Sequence, residues 1–322
     1  MVQKLRHLVE KLRPASRMAA VTQRLAERLT AFRARLYFDK SWIIMSDDSY
    51  PENPRWLEEL RALASQSPAP GHRDARDTHL VLVTGCLGPG GAERQWCYLA
   101  RELAARGYRV TLLTVTPLEG ENAHYLPLLD GTGVRVVDRD SLLVSEEASS
   151  YQTSKMPIDA WMLAAALDRL QPTHVLSQLD YTNVWSGVAA LMQRVPPDAV
   201  LLSFRSLNPA KYSTYTTYYF HEYYRTLCGS SRVLLNANSR FGGEDYAEWI
   251  GFDPQRLGVA HNAVQLPELS PHTRGEVRRA FGIDGSTQVV LGVLRLTSEK
   301  NPGLFLEVAR AVHEKMPDAL FL

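Results

Sequence analysis

The sequence predicts an α/β protein: a doubly wound, parallel, Rossmann-like domain, then the start of a second Rossmann-like domain, behind an N-terminal helical extension. Three observations carry this expectation. From residue 79 onward, short apolar runs alternate with amphipathic stretches, the signature of β-α repetition around a parallel sheet. Several of these runs are β-branched and almost continuously apolar, as strands covered on both faces must be. The β-α pattern then begins afresh near residue 286.

The first 36 residues place nine Lys and Arg side chains against Glu10 and Glu27. Met18, Val21, Leu25, Leu29, Phe32 and Leu36 recur at helical spacing and form one apolar stripe beside those arginines. Such a helix can pack on the protein itself or pair with another helix. It can equally lie on an anionic membrane surface with its arginine stems snorkelling. Residues 1–40 are therefore read as a basic helical extension. Residues 41–78, with "SYPENP" and "SQSPAPGH", read as an irregular linker.

The strands of the first domain, residues 79–285, are expected at 79–85, 109–115, 134–139, 174–179, 199–204, 232–238 and 256–262. Helices are expected at 91–106, 159–170, 183–194, 213–228, 240–250 and 273–281. Residues 286–322 supply a strand at 288–295, a helix at 302–315 and the apolar "ALFL". One β-α unit and the opening of another strand make an incomplete domain, so the chain is expected to be cut. In an open sheet of this kind, ligands sit outside the carboxyl ends of the strands.

The stretch "GCLGPGGAERQ", residues 85–95, lies at such an end. A dinucleotide fold wants G-x-G-x-x-G and an acid ending the second strand, but the glycines are Gly85, Gly88, Gly90 and Gly91, and Thr114 and Thr116 stand where the acid belongs. A P-loop needs Lys-Ser/Thr after the glycines, and none follows. Gly90 and Gly91 precede a helix whose first turn offers unpaired N–H groups and a positive dipole end. Glu93 could accept a sugar hydroxyl, and Arg94 could meet an anion. A plain strand-to-helix turn carrying a surface ion pair remains the alternative at this stage.

The order of segments resembles the retaining nucleotide-sugar glycosyltransferases of family 4, which have two facing Rossmann domains, the GT-B fold. The matching stretches are "LGPGGAERQWCYLARELAARGYRVTLLT", "VLLNANSRFGGEDYAEWIGFDPQRLGVAHNAV" and "VLGVLRLTSEKNPGLFLEVARAVHEKMPDALFL". The resemblance implies that Arg295 and Lys300 hold the diphosphate of a nucleotide-sugar donor, with help from the helix N-terminus at 302–303. It implies no cofactor beyond that co-substrate, and no metal. Asn262 stands where the family has an Asn-Gly turn, here Asn262-Ala263, and is expected to be structural first and cleft-lining second. Where members carry a His after the fifth strand, this sequence has Arg205 or Ser206. An arginine cannot act as a base at neutral pH, but it can bind an anionic acceptor or the donor phosphate. The resemblance implies that the family's Glu-x7-Glu motif, which binds the donor sugar and ribose, would lie further along the second domain than Leu322.

The tyrosines of "KYSTYTTYYFHEYYR", residues 211–225, suit sugar stacking, but Tyr212, Tyr215, Tyr219 and Tyr223 have the spacing of a helix packed on the sheet. A net charge of +1 gives no reason to expect a nucleic-acid partner. Cys86, Cys97 and Cys228 are scattered, which argues against a disulfide framework or zinc site and suits a reducing compartment. No run of about 18 apolar residues is present. The expected partners are a sugar nucleotide, a glycan or lipid-linked acceptor, and a membrane surface through residues 1–36. The expected location is the cytoplasm. The alternatives are a sugar-nucleotide epimerase of the same architecture and an inactive binding module.

Overall fold

The computed structural model describes residues 54–65, 77–143, 158–193, 195–211, 220–265, 274–297 and 300–322. The basic stripe of residues 1–36 and the tyrosines at 212, 215 and 219 lie outside the described residues. The described chain divides into two compact units, meeting in sequence at Val264 and Gln265.

The larger unit opens with α1 (Pro54–Ser65), followed by β1 (His79–Thr84), α2 (Gly91–Ala105), β2 (Arg109–Thr114) and β3 (Arg135–Asp138). The short α3 (Arg139–Leu142) and α4 (Ile158–Leu170) lead to β4 (His174–Gln178), α5 (Asp180–Leu191) and β5 (Ala199–Phe204). The unit closes with α6 (Phe220–Leu227), β6 (Val233–Ala237), α7 (Arg240–Ile250) and β7 (Gly258–Val259). All seven strands are parallel, in the order β3-β2-β1-β4-β5-β6-β7. The chain builds outward from β1 in one direction and from β4 in the other, so the topological switch lies between them.

Alternation along the strands explains why both faces are dry. Leu80 and Leu82 of β1 join Trp96, Cys97 and Ala100 of α2 on one face. Val81 and Val83 enter the larger core on the other, with Val184, Val188, Phe204, Tyr224 and Tyr246. Side chains two apart share a face. A wholly apolar run therefore needs a helical layer on each side, and that dictates the doubly wound arrangement. The helix ends are written locally as well. Ser239 caps α7 by accepting from the Gly242 N–H, and α7 stops at Gly251, whose φ of +67° is left-handed.

The region read as a linker, 41–78, contains α1. Proline and serine clusters flank it and suggested loop, yet Leu57, Leu60 and Ala64 inside recur at helical spacing. Leu60 and Ala64 are buried in the core against α5 and α6. Three further expectations shift. The helix expected at 183–194 runs Asp180–Leu191, because Leu179 takes a positive φ and caps it early. The expected strand 256–262 narrows to Gly258–Val259 at the sheet edge, where only Asn236 and Ala237 pair with it. Of the helix expected at 213–228, the described part is Phe220–Leu227.

The second unit contributes α8 (Arg274–Ala280), β8 (Val289–Val290), α9 (Pro302–His313) and β9 (Leu320–Phe321). β8 and β9 pair in parallel as a β-α-β unit. The strand expected at 288–295 is regular only at Val289–Val290, since its described partner, Leu320–Phe321, is two residues long. Gln265 and residues 274–285, assigned from sequence to the first domain, group here. The side chain of Arg278 on α8 donates to the backbone oxygens of Asp284, at 2.7 Å, and Thr287, which ties α8 to the entry of β8. Pro302 at the first position and the Asn301 side chain, which accepts from Leu304 N–H, begin α9.

Candidate functional site

The carboxyl ends of β1, β4 and β5 form the candidate site. After β1, residues 85–90 run to α2, which begins at Gly91. None of Gly85, Gly88, Gly90 or Gly91 has a left-handed φ. The loop therefore does not use glycine for an unusual backbone, and what glycine supplies is room. A Cβ at Gly91 would meet nothing within 4 Å. A Cβ at Gly90 would lie 1.9 Å from a Glu93 carboxylate oxygen, so that space belongs to Glu93. Gly90 caps α2 without a side-chain hydrogen bond, and Glu93 folds its negative charge back over the positive helix end. Of the two glycines expected to admit a ligand, only Gly91 is open.

The loop is braced from outside. The Leu87 N–H donates to Asn122 O at 2.8 Å, and the Tyr125 N–H donates to Leu87 O at 2.9 Å. The N–H and hydroxyl of Thr116 both donate to Gly85 O, at 3.0 and 2.9 Å. Thr114 and Thr116 thus serve the turn, the role left once the dinucleotide fingerprint was excluded.

At the end of β4, Leu179 has φ +68° and ψ 147°, a backbone region that non-glycine residues avoid at a cost of about 1–3 kcal/mol. Its N–H donates to Ser203 O at 3.3 Å, and its own oxygen accepts from Asn183 N–H at 2.8 Å. Beside it, fully buried Gln178 donates from Nε2 to Thr84 Oγ1 at 3.3 Å, linking the ends of β4 and β1 across the switch. Next in sequence, Asp180 accepts at Oδ1 from Tyr224 OH at 2.9 Å and Tyr246 OH at 2.8 Å. Burial pushes the Asp180 carboxyl up to about 6, against the opposing pull of those hydroxyls. Tyr246 stacks on Phe204 with ring centroids 3.8 Å apart, so the base of this cluster is the last residue of β5.

Arg205 follows Phe204 directly. Desolvation lowers its pKa, while the Glu93 carboxylate acts in the opposite direction, so the two charges sense each other across the strand ends. Its Nε is buried with no hydrogen-bond partner. Its backbone oxygen accepts from Asn238 Nδ2 at 3.2 Å. The chain beyond it is fixed by Asp245 of α7, which accepts from Asn208 N–H at 2.7 Å and Asn208 Nδ2 at 2.8 Å. Lys211 Nζ lies 2.5 Å from the same carboxylate. Burial alone would push the Asp245 carboxyl up, but those bonds hold it below the usual carboxylate range.

Among the sequence-predicted residues, the fold thus brings Gly91, Glu93 and Arg205 to the carboxyl ends of β1 and β5, on either side of β4. Arg94 is exposed one position further along α2. Asn262 is exposed and makes no side-chain hydrogen bond among the described residues; its turn is held instead by Gln95. Gln95 Nε2 donates to Ala263 O at 2.6 Å, and the Ala263 N–H donates to Gln95 Oε1 at 2.9 Å. This two-point clamp from α2 was not foreseen, because a contact spanning 168 positions leaves no local pattern. Arg295 and Lys300 lie in the second unit and are both exposed. Among the described residues no cluster of His, Cys, Asp or Glu could hold a metal ion, and no helix is long and apolar enough to cross a membrane.

A doubly wound parallel sheet with a glycine loop at its switch point defines a Rossmann-like domain. The family model for Glycosyltransferase Family 4 matches residues 89–267, and the chain belongs to that family. Its relatives include the Vi polysaccharide biosynthesis protein VipC/TviE of Salmonella typhi, 25% identical over 280 residues, which are 76% of this chain and 47% of that protein. A D-inositol 3-phosphate glycosyltransferase of Pseudarthrobacter chlorophenolicus is 26% identical over 95 residues, 30% of this chain and 22% of that one. This chain thus spans about half of the first relative's length and less of the second's. Among solved structures, a lipopolysaccharide outer core galactosyltransferase, WaaB in its apo form, aligns with a TM-score of 0.45 and 12% identity, covering 68% of this chain and 53% of that one.

Proposed function

We propose that the protein moves a sugar from a nucleoside-diphosphate donor to an acceptor hydroxyl during assembly of a glycan or lipid-linked glycan, with retention at the anomeric carbon. Family membership supports the reaction class. The observation that carries the site is Gly91: an ordinary backbone conformation with open space above it, at the switch point where such sheets take ligands. Glu93 would accept an acceptor hydroxyl, and Arg94 and Asn262 would line the rim. Arg295 and Lys300 would hold the donor diphosphate, whose charge grows as the bond to the anomeric carbon breaks and the acceptor oxygen bonds that carbon. The co-substrate replaces any cofactor, and no metal is assigned. The reading places the protein in the cytoplasm, with the basic segment 1–36 reaching an anionic lipid surface.

The test is release of nucleoside diphosphate by the whole gene product, measured across a panel of sugar nucleotides with and without glycan acceptors. Release that depends on an acceptor, with sugar found on that acceptor, is the expected result. Release without acceptor, accompanied by an inverted sugar, would identify an epimerase instead. No turnover of any donor, with glycan still bound, would identify a binding module.

A further inference from the structure

The half-buried arginines of the large unit have their guanidinium groups engaged in most cases. Arg139 pairs with Asp159 at 2.9 Å, and Arg232 Nη1 donates to Pro197 O at 2.5 Å. Arg205 differs. The residue is half-buried, and none of its guanidinium nitrogens has a hydrogen bond or ion pair among the described residues; only Nε is hidden, which leaves the Nη end open. The neighbouring helix end does not compete for an anion, since Glu93 already lies over it. The strand end carrying Arg205 is also firmly built: Phe204 is clamped in the aromatic stack, and Asp245 holds Asn208 and Lys211. A partly desolvated guanidinium with an open fork, carried on a firmly held strand end, matches the paired oxygens of a carboxylate or phosphate.

We propose that Arg205 is the seat of an oxyanion on the acceptor, so that the acceptor of this site is acidic: a sugar carboxylate, or a phosphate on a lipid carrier. Glu93, on the other side of the opening, keeps Arg205 from trapping anions indiscriminately and orients the sugar hydroxyls beside the charge. This inference rests on the glycosyltransferase reading for the identity of the site, but not for the chemistry of Arg205.

The experiment is calorimetric titration of the full chain and of Arg205→Gln and Arg205→Lys with three probes. They are a glucuronate-containing oligosaccharide, its carboxyl-reduced neutral counterpart, and inorganic phosphate. A carboxylate ligand predicts that the acidic oligosaccharide binds at least about tenfold tighter than the neutral one, and that Arg205→Gln abolishes this preference. A phosphate ligand predicts Arg205-dependent phosphate binding without that preference. Arg205→Lys keeps the charge but loses the fork, so it retains part of the affinity in either case; it also supplies the answer if the Gln variant does not fold. Equal binding of the acidic and neutral sugars, together with phosphate binding unchanged in the variants, overturns the proposal, as does absence of binding by all three. Acceptor-dependent release of nucleoside diphosphate is scored separately. Turnover without oxyanion binding sinks only the role of Arg205, and oxyanion binding without turnover sinks only the transferase reading.

Discussion

Asp180 shows how one side chain sets the behaviour of a strand end. Its folded value of about 6 lies above the ordinary 3.8, so between those limits the native state holds the proton more tightly than the unfolded chain. The contribution of Asp180 to stability is therefore fullest below about pH 4, falls as pH rises to about 6, and is level beyond. Asp180→Asn keeps an oxygen acceptor for Tyr224 and Tyr246 and removes the ionisation. The variant should be more stable than wild type at neutral pH by about 1–3 kcal/mol, with no difference in the acid range. Urea midpoints across that pH range decide it, and parallel curves for the two proteins would contradict the assignment. Sequence reading named Glu93 because a glycine loop at a strand end marks the helix start beside it, and named Arg205 because the family resemblance singles out the position after the fifth strand. It could not name Asp180, whose partners come from two other helices.

At the scale of elements, legibility followed the reach of the interaction. β1, β2 and β5 emerged from almost continuously apolar runs, and α2 from its glycines and periodicity. α1 carried the same periodic signal but was obscured by its proline- and serine-rich flanks. If α1 belongs to the core, Leu60→Ala should cost about 2–4 kcal/mol, since Leu60 is wholly buried. Chemical denaturation reads this directly, and a cost near zero would restore the linker. The Gln95 clamp makes a different prediction. Gln95→Ala removes two exposed hydrogen bonds, so global stability should fall by only about 1 kcal/mol. Hydrogen exchange at the Ala263 amide should nevertheless accelerate at least about tenfold, because its described acceptor is gone. Unchanged exchange would mean that the turn at Asn262 is held by something else.

For the molecule as a whole, the two units make separate claims. The second unit carries Arg295 and Lys300, whose proposed task is the diphosphate. Arg295→Ala and Lys300→Ala should each lower transfer by at least about tenfold in the whole gene product, from loss of one charged contact. Wild-type rates in both would remove them from the site.

The first unit carries the central claim, that the crevice at the switch point is where substrate sits. Gly91→Val tests it most directly, with melting temperature and transfer rate measured on one preparation. Its Cβ meets no neighbour, and its backbone needs no left-handed φ, so the variant should melt within a few degrees of wild type. The added side chain should still displace the ligand, and transfer should fall by roughly two orders of magnitude. A variant that is both stable and fully active would make the loop a simple turn and place the substrate elsewhere.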